Sequence, residues 1–423
     1  MKIISNILAL IVINNLILCN YDLYENQISI YFNKSPNRNK DKDHVFGDEI
    51  ITNLFYNFIF SHIKFGKSKN DIILYLTFNN SNIKIVSPLP STKEAEKQKD
   101  MFIFPKEKKE LNLYYLLEKP DISKKENISY LGLSLLDNEK NEYSFINQMK
   151  EHKIIVKRIF SVLYKDKSIT DDPMFDGQIL FGLFPHEMTS RYKENDLKWI
   201  PTKDNTWKIN FDFIEYNNKE RLNITEVELD IGLNLIIGPE EYRKKIYEDY
   251  FRKYIDKELC KEEIFFNKID NQFYLAYSCK YDLDVENFPT LSLYNKILNY
   301  TIEVDYNQLL CVFKGIVYFK VVFKKTTQNK KWIFGRAFME LCPLVFDVDN
   351  KKIGFYKVEI SKDNIWVILI LFLTILVISG YSLYRGTQMK KEEETKNKNK
   401  KEIEKHPKKD INIENEKEKL KNE

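Results

Sequence analysis

Glycine is scarce in this chain, 12 in 423 residues, and none falls between Gly66 and Gly132. The glycines present build neither a Walker-type phosphate loop nor a dinucleotide turn, and no serine stands in a nucleophile elbow. Histidine is scarcer still: His44, His62, His152, His186 and His406 are scattered, none at ligand spacing from another or from a cysteine. No metal site and no cofactor is implied. An excess of one charge is also missing, since 66 Lys and Arg face 62 Asp and Glu. Lysine is spread everywhere and no basic stripe interleaved with aromatics stands out, so nucleic acid is not an expected partner.

What is present at the ends suggests a compartment. Residues 1–19 ("MKIISNILALIVINNLILC") place Lys2 ahead of an apolar core of signal-peptide length, followed by a polar "NYD". Residues 365–384 ("IWVILILFLTILVISGYSLY") carry no charge over a length that crosses a bilayer, which predicts one transmembrane helix. Arg385, Lys390 and Lys391 follow the run, whereas Lys362 and Asp363 before it cancel, so the expected orientation is type I. The mixed-charge tail 385–423 is expected to be disordered and cytosolic. The ectodomain is then lumenal or extracellular, in the secretory pathway or at the cell surface. Sequons at Asn79, Asn127, Asn223 and Asn299 fit a glycoprotein there. Once Cys19 is set aside with the leader, Cys260, Cys279, Cys311 and Cys342 remain, an even number with three possible pairings.

Between the ends the pattern is mainly β. "DIILYLTF", "SNIKIV", "RIFSVLY", "GQILFGLF", "WKINFDFIEY", "TLSLYN" and "GIVYFKVVF" are rich in Ile, Val, Tyr and Phe and bounded by Asn, Asp, Gly and Lys. Helical spacing is confined to "YSFINQMKEHK" and to "PEEYRKKIYEDYFRKYI", which opens with Pro239. Residues 90–127 are charged and irregular and read as a loop or an eroded region.

One apolar run holds an acid. "VELDIGLNLIIGPEEYRKKI" (227–246) places Asp230 and Gly232 in what otherwise reads as a buried strand. With its neighbours it resembles the second active-site segment of pepsin-like aspartic proteases: an apolar strand, Asp-Thr-Gly-Thr/Ser, apolar residues, Gly-Pro and a helix. "WIPTKDNTWKINFDFI" (199–214) is similar to the opening of that family's second lobe. "WIFGRAFMELCPLVFDVDNKKIGF" (332–355) aligns ungapped with its closing signature. "YLGLSLL" (130–136), "IFSVLY" (159–164) and "GQILFG" (177–182) stand in the family's order.

The resemblance implies a bilobal fold: an N-terminal segment 20–52, a first lobe 53–198 and a second lobe 199–360. It also implies a disulfide between Cys279 and Cys311, leaving Cys260 and Cys342 to pair by elimination. Where the family carries its first catalytic aspartate, "IKFGKSKNDIILYLTFNNSNIKIV" (63–86) has Thr77. The residues after it, usually Thr and Gly, are Phe78 and Asn79. Beside Asp230, Ile231 replaces the threonine that locks the two loops together, and Leu233 replaces a hydroxyl that serves the carboxylate. Members of the family activate water with two carboxylates sharing one proton, and Thr77 cannot take that proton near neutral pH.

The flap that covers substrate in the family is expected to be truncated or rebuilt from "FIFPKEKKELNLYYLL" (102–117). The resemblance therefore implies a pseudoprotease whose cleft, lined by Thr77, Phe78, Asn79, Ile231, Gly232 and Leu233, holds a peptide or protein ligand. The competing expectation is an active aspartic endopeptidase in which Asp230 works with another acid, Asp71 being the nearest upstream. A partner subunit for an active relative is a third possibility. Oligomeric state is not legible.

Overall fold

The computed structural model describes residues 28–34, 59–67, 69–86, 96–104, 109–118, 129–135, 141–164, 176–189, 191–216, 220–222, 226–267, 272–280, 283, 287–313, 315–325, 331–357 and 363–405. The predicted leader 1–19 and much of the N-terminal segment lie outside them. The chain up to Lys357 forms one compact unit, and the remainder, with the helix Asp363–Lys405, forms a second.

The first unit is β-rich because its apolar residues alternate or run continuously in short stretches. Six strands make a platform, in the spatial order Leu197–Pro201, Lys352–Tyr356, Leu344–Asp347, Ile159–Tyr164, Gly177–Phe181 and Ile28–Lys34. Ile159–Tyr164, Gly177–Phe181 and Leu344–Asp347 are buried on nearly every residue. Both faces of these three strands are covered, which is why they read as unbroken apolar runs.

Each lobe then repeats one four-strand pattern. In the first, Asn70–Thr77 lies parallel to Tyr130–Gly132, which is antiparallel to Ile83–Val86, itself parallel to Lys109–Glu118. In the second, Glu226–Leu229 lies parallel to Trp332–Phe334, which is antiparallel to Ile236–Gly238, itself parallel to Val321–Lys324. Thr77 ends the first strand of one pattern and Asp230 follows the first strand of the other. This is the arrangement that a pepsin-like fold requires.

Several expectations are corrected. Residues 96–118 are not a loop but an antiparallel hairpin, Glu96–Phe104 with Lys109–Glu118, in register from Glu96 opposite Leu117 to Phe104 opposite Lys109. Phe102, Phe104, Leu113 and Tyr115 are buried along it. Residues 105–108, which join the two strands, lie outside the described residues.

The disulfide joins Cys260 to Cys279, not Cys279 to Cys311, and Cys311 and Cys342 are free thiols. Register explains the choice. Cys260 and Cys279 are direct partners across the Cys260–Asn267 and Gln272–Lys280 hairpin. Continuing across the sheet, Cys279 faces Val317, and Val317 faces Val312. Cys311 is one residue out of that row and points to the opposite face. Accordingly Cys279 sits in the main core, whereas Cys311 packs against a separate cluster around Phe265 and Tyr274.

In the second unit, Asp363–Lys405 runs helical through the charge-free stretch 365–384 and half of the tail expected to be disordered. Glu392 and Glu394 each stand four residues before a lysine, Lys396 and Lys398, a spacing that favours a helix. Among the described residues, whose helix side chains run from Leu373 to Lys398, no helix is long and apolar enough to cross a membrane.

Candidate active site

Thr77 closes the Asn70–Thr77 strand, and the chain turns at once: the backbone N–H of Asn79 donates to Thr77 Oγ1 at 3.1 Å. A second turn follows, with Asn82 N–H donating to Asn80 Oδ1 at 3.1 Å. Asn141 pins this segment from outside, its Nδ2 donating to Ser81 Oγ at 2.9 Å and to Asn82 Oδ1 at 2.7 Å. Two backbone N–H groups, three side-chain amides and two hydroxyls thus fix a turn that holds no glycine. Asn79 needs none, since its φ is not positive.

The Asp230 turn is built the same way. Gly232 N–H donates to Asp230 Oδ1 at 2.8 Å, Leu233 N–H to Asp230 O at 3.2 Å, and Asp230 N–H to Phe334 O at 3.0 Å. In both lobes a glycine from the neighbouring strand passes beneath the turn. Gly132 N–H donates to Asn82 O and Gly335 N–H to Leu235 O, both at 3.0 Å. A Cβ on Gly132 would lie 2.2 Å from Asn80 Oδ1, and one on Gly335 would lie 2.3 Å from Leu235 O. Asn82 and Leu235 stand five residues after Thr77 and Asp230 respectively, so the two turns are equivalent parts of one duplicated design.

Trp207 ties the turns together. Its Nε1 donates to Leu133 O at 2.7 Å in the first lobe, while its carbonyl accepts Leu229 N–H at 3.0 Å, one residue before Asp230. Phe78, next to Thr77, packs its ring 6.2 Å from Trp207 and 4.9 Å from Phe346. Phe78 and Ile231 are both buried in the main core. Neither can hydrogen-bond, so the loops are held by apolar packing where the resemblance predicted threonines. Leu233 serves the turn through its backbone alone: its carbonyl accepts Arg336 N–H at 2.8 Å.

The electrostatics single out Asp230. Burial pushes its pKa up from 3.8 to about 6, opposed by the Gly232 N–H and assisted by the charge of Glu228 two residues upstream. Among the described residues Glu228 is the one other carboxylate acting on it, and Lys208 stands 3.8 Å from Glu228. Asp71 is no partner: it sits exposed at the far end of its strand, opposite Lys64. No three His, Cys, Asp or Glu side chains among the described residues gather to hold a metal ion. The centre thus offers one carboxyl that changes state near pH 6 and one hydroxyl whose oxygen already accepts an N–H. It can bind a water or a carbonyl, but Thr77 supplies no second proton acceptor.

The structure therefore brings together Thr77, Phe78 and Asn79 on one turn and Asp230, Ile231, Gly232 and Leu233 on the other. Sequence reasoning missed Trp207, Asn141 and the Gly132/Gly335 pair as parts of the centre. Trp207 and both glycines lay in stretches already matched to the family, and their equivalence becomes visible only when the lobes are aligned on each other. Asn141 gave no signal.

No curated protein matches the chain. A family model described as "Eukaryotic aspartyl protease" matches residues 119–358, more than half of the 423. The matched range takes in Asp230 and starts after the Thr77 turn, where the sequence has departed furthest. With the duplicated four-strand pattern and the paired turns, this match establishes that the chain belongs to the eukaryotic aspartyl protease family.

Proposed function

We propose that the protein is a membrane-anchored, catalytically silent aspartyl protease homologue that holds an extended peptide or protein segment between its lobes. The observation carrying this reading is Thr77 in the turn equivalent to that of Asp230. Hydrolysis in this family needs a second carboxylate to share the proton, and the described surroundings of Asp230 offer only Glu228, on its own strand. An extended ligand would be held by strand-like backbone hydrogen bonds. Anchoring rests on the charge-free run 365–384 and on Arg385, Lys390 and Lys391 beyond it. The leader 1–19 directs the chain to the secretory pathway or cell surface, where the exposed sequon residue Asn299 is available for glycosylation.

The alternative, a divergent endopeptidase, is favoured by one observation. Asp230 is raised toward the range useful for acid–base work, and its turn is intact. Incubating the protein with a diverse peptide library from acidic to neutral pH, beside Asp230→Ala and with a pepstatin-type inhibitor, separates the two. Identical peptide profiles for both folded proteins support the silent reading. Cleavage that disappears in the variant overturns it.

A further inference from the structure

The hairpin closed by the Cys260–Cys279 disulfide carries an open strand. Among the described residues Cys260–Asn267 pairs with Gln272–Lys280 and with no other strand, so its second edge faces out. Two hydrogen bonds fix which groups that edge presents. Lys280 N–H donates to Leu259 O at 2.8 Å, within the hairpin, whereas Phe273 O accepts Lys325 N–H at 2.9 Å, on the far side of its strand. Residues of the two kinds alternate along an antiparallel ladder. Lys261, Glu263 and Phe265 therefore direct their N–H and C=O groups to Gln272–Lys280, and Glu262, Ile264 and Phe266 direct theirs outward. Apolar side chains accompany the open groups. Ile264, Phe266 and, opposite Phe266, Phe273 are 51, 38 and 52 % exposed, with the two phenyl rings 4.8 Å apart. Natural edges are kept unpaired by lysine, proline or a bulge, and the stretch Ile264–Phe266 has none of these.

Beside the same strand lies an open hollow of about 470 Å³, lined by Tyr247 and Ile255 with Arg243, Lys244, Glu248 and Glu262 around them. Two cations and two acids balance there, and three of the four are already engaged. Arg243 is held by Glu240 at 2.7 Å and by Glu262 at 3.3 Å, and Glu248 by Arg252 at 2.7 Å. Lys244 is exposed and has no partner among the described residues, so the charge left available is one ammonium group. A strand laid along Glu262–Phe266 would meet backbone donors and acceptors, apolar cover from Ile264, Phe266 and Phe273, a hollow for one side chain beside Tyr247 and Ile255, and a cation.

We propose that this edge is a docking site for an extended segment of a partner protein, with aliphatic residues at alternate positions and one Asp or Glu that meets Lys244. The site belongs to the second lobe alone. It is separate from the interlobe cleft and stands whether or not that cleft binds peptide.

The test is a display selection of short random peptides on the full-length protein, followed by titration with synthetic copies of those selected. Peptides of alternating aliphatic residues with one carboxylate are expected. Hydrogen exchange resolved to single residues should slow at Ile264 and Phe266, while Phe265, already bonded within the hairpin, stays unchanged. Ile264→Lys should weaken binding roughly ten-fold or more at unchanged thermal midpoint. Lys244→Gln and replacement of the peptide carboxylate by an amide should each weaken it about three-fold, and no further when combined. Binding indifferent to both substitutions would overturn the proposal. So would a selection returning only peptides that protect the Thr77 and Asp230 turns, which would support the cleft and remove the edge. Protection of Ile264 and Phe266 on raising the protein concentration alone would assign the edge to a second copy, and would equally overturn it.

Discussion

Asp230→Asn isolates the charge at the centre of the site. Both side chains offer an Oδ1 to the Gly232 N–H at 2.8 Å, so the turn survives the change and only the titration is lost. In the folded protein Asp230 titrates near 6 because burial outweighs that hydrogen bond, against 3.8 when solvated. Such a difference corresponds to roughly 3 kcal/mol. The carboxylate is half-buried, not sealed, and solvent screening reduces the figure to about 2 kcal/mol. The sign follows from where the proton is held more tightly. Below about pH 4 the carboxyl is protonated in both states and its favourable contribution is fully present. Between about pH 4 and pH 6 the unfolded chain gives up the proton while the folded one keeps it, and the contribution drains away; above pH 6 it is gone. Asparagine never titrates. Urea unfolding of both proteins across pH 4 to 8 should therefore show the variant gaining about 2 kcal/mol on the wild type as pH rises, with most of the change between pH 4 and 6. Contributions of other groups, including Glu226 with its pKa lowered by Lys203, cancel in the comparison. A difference that stays flat over this range would refute the reasoning, and would mean that a cation or a shared proton compensates Asp230.

The facing of the two turns is open to direct measurement. A Cβ on Gly232 would stand 3.1 Å from Asp230 Oδ1, so an aspartate at 77 would be crowded by Asn79. Thr77→Asp/Asn79→Gly should accept the charge better than Thr77→Asp alone and move the NMR titration of Asp230 above 6; an unmoved titration would place the turns too far apart to be a dyad. Cys279→Ser should cost about 3 kcal/mol in the chain-entropy account, for a closed loop with a sequence separation of 19, whereas Cys311→Ser should cost under about 1 kcal/mol; equal losses would contradict the pairing found. Gly335→Ala should cost about 3 kcal/mol or more, because its Cβ meets the carbonyls of Leu235 and Leu233 at 2.3 and 2.4 Å, and a neutral result in thermal unfolding would show that this strand is free to shift.

Much of the framework was legible from apolar runs. Ile159–Tyr164, Gly177–Phe181 and Leu344–Asp347 are covered on both faces, and a strand so placed announces itself in composition. The hairpin 96–118 was hidden because charged residues such as Lys99, Asp100, Lys109 and Glu110 interrupt the apolar pattern to which Phe102, Phe104, Leu113 and Tyr115 belong. The disulfide was misplaced because family spacing gives the separation of two cysteines along the chain and says nothing of which face each one occupies. That is set by register, and a single residue separates Cys311 from the row that Cys279 shares with Val317 and Val312. At the site, Asp230 stood out as an acid in an apolar run. Asn141 was invisible because its importance lies in two hydrogen bonds to a turn some sixty residues earlier, at sequence separations of 60 and 59.

The replacements at the centre are not independent accidents. Removing one member of a buried hydrogen-bonded pair leaves the other with the full desolvation penalty, about 1–3 kcal/mol, whereas replacing both by apolar groups is close to neutral. Phe78 and Ile231 occupy the two positions where the family resemblance expects reciprocal threonines, and both are buried in the same core. Phe78 stacks edge-on against Phe346 and packs beside Phe160 and Trp207, so the first-lobe turn is now seated by rings. Restoring one hydroxyl should therefore hurt more than restoring both allows. Ile231→Thr alone buries an oxygen among apolar neighbours and should cost about 2 kcal/mol. Phe78→Thr also opens a cavity and should cost about 4 kcal/mol. If the positions face each other, the double variant should fall short of the sum by about 1–2 kcal/mol, read as the coupling in a denaturant double-mutant cycle. Strict additivity would mean that the residues beside Thr77 and Asp230 decayed separately, and that the present core is not the apolar successor of a lost hydrogen-bonded lock.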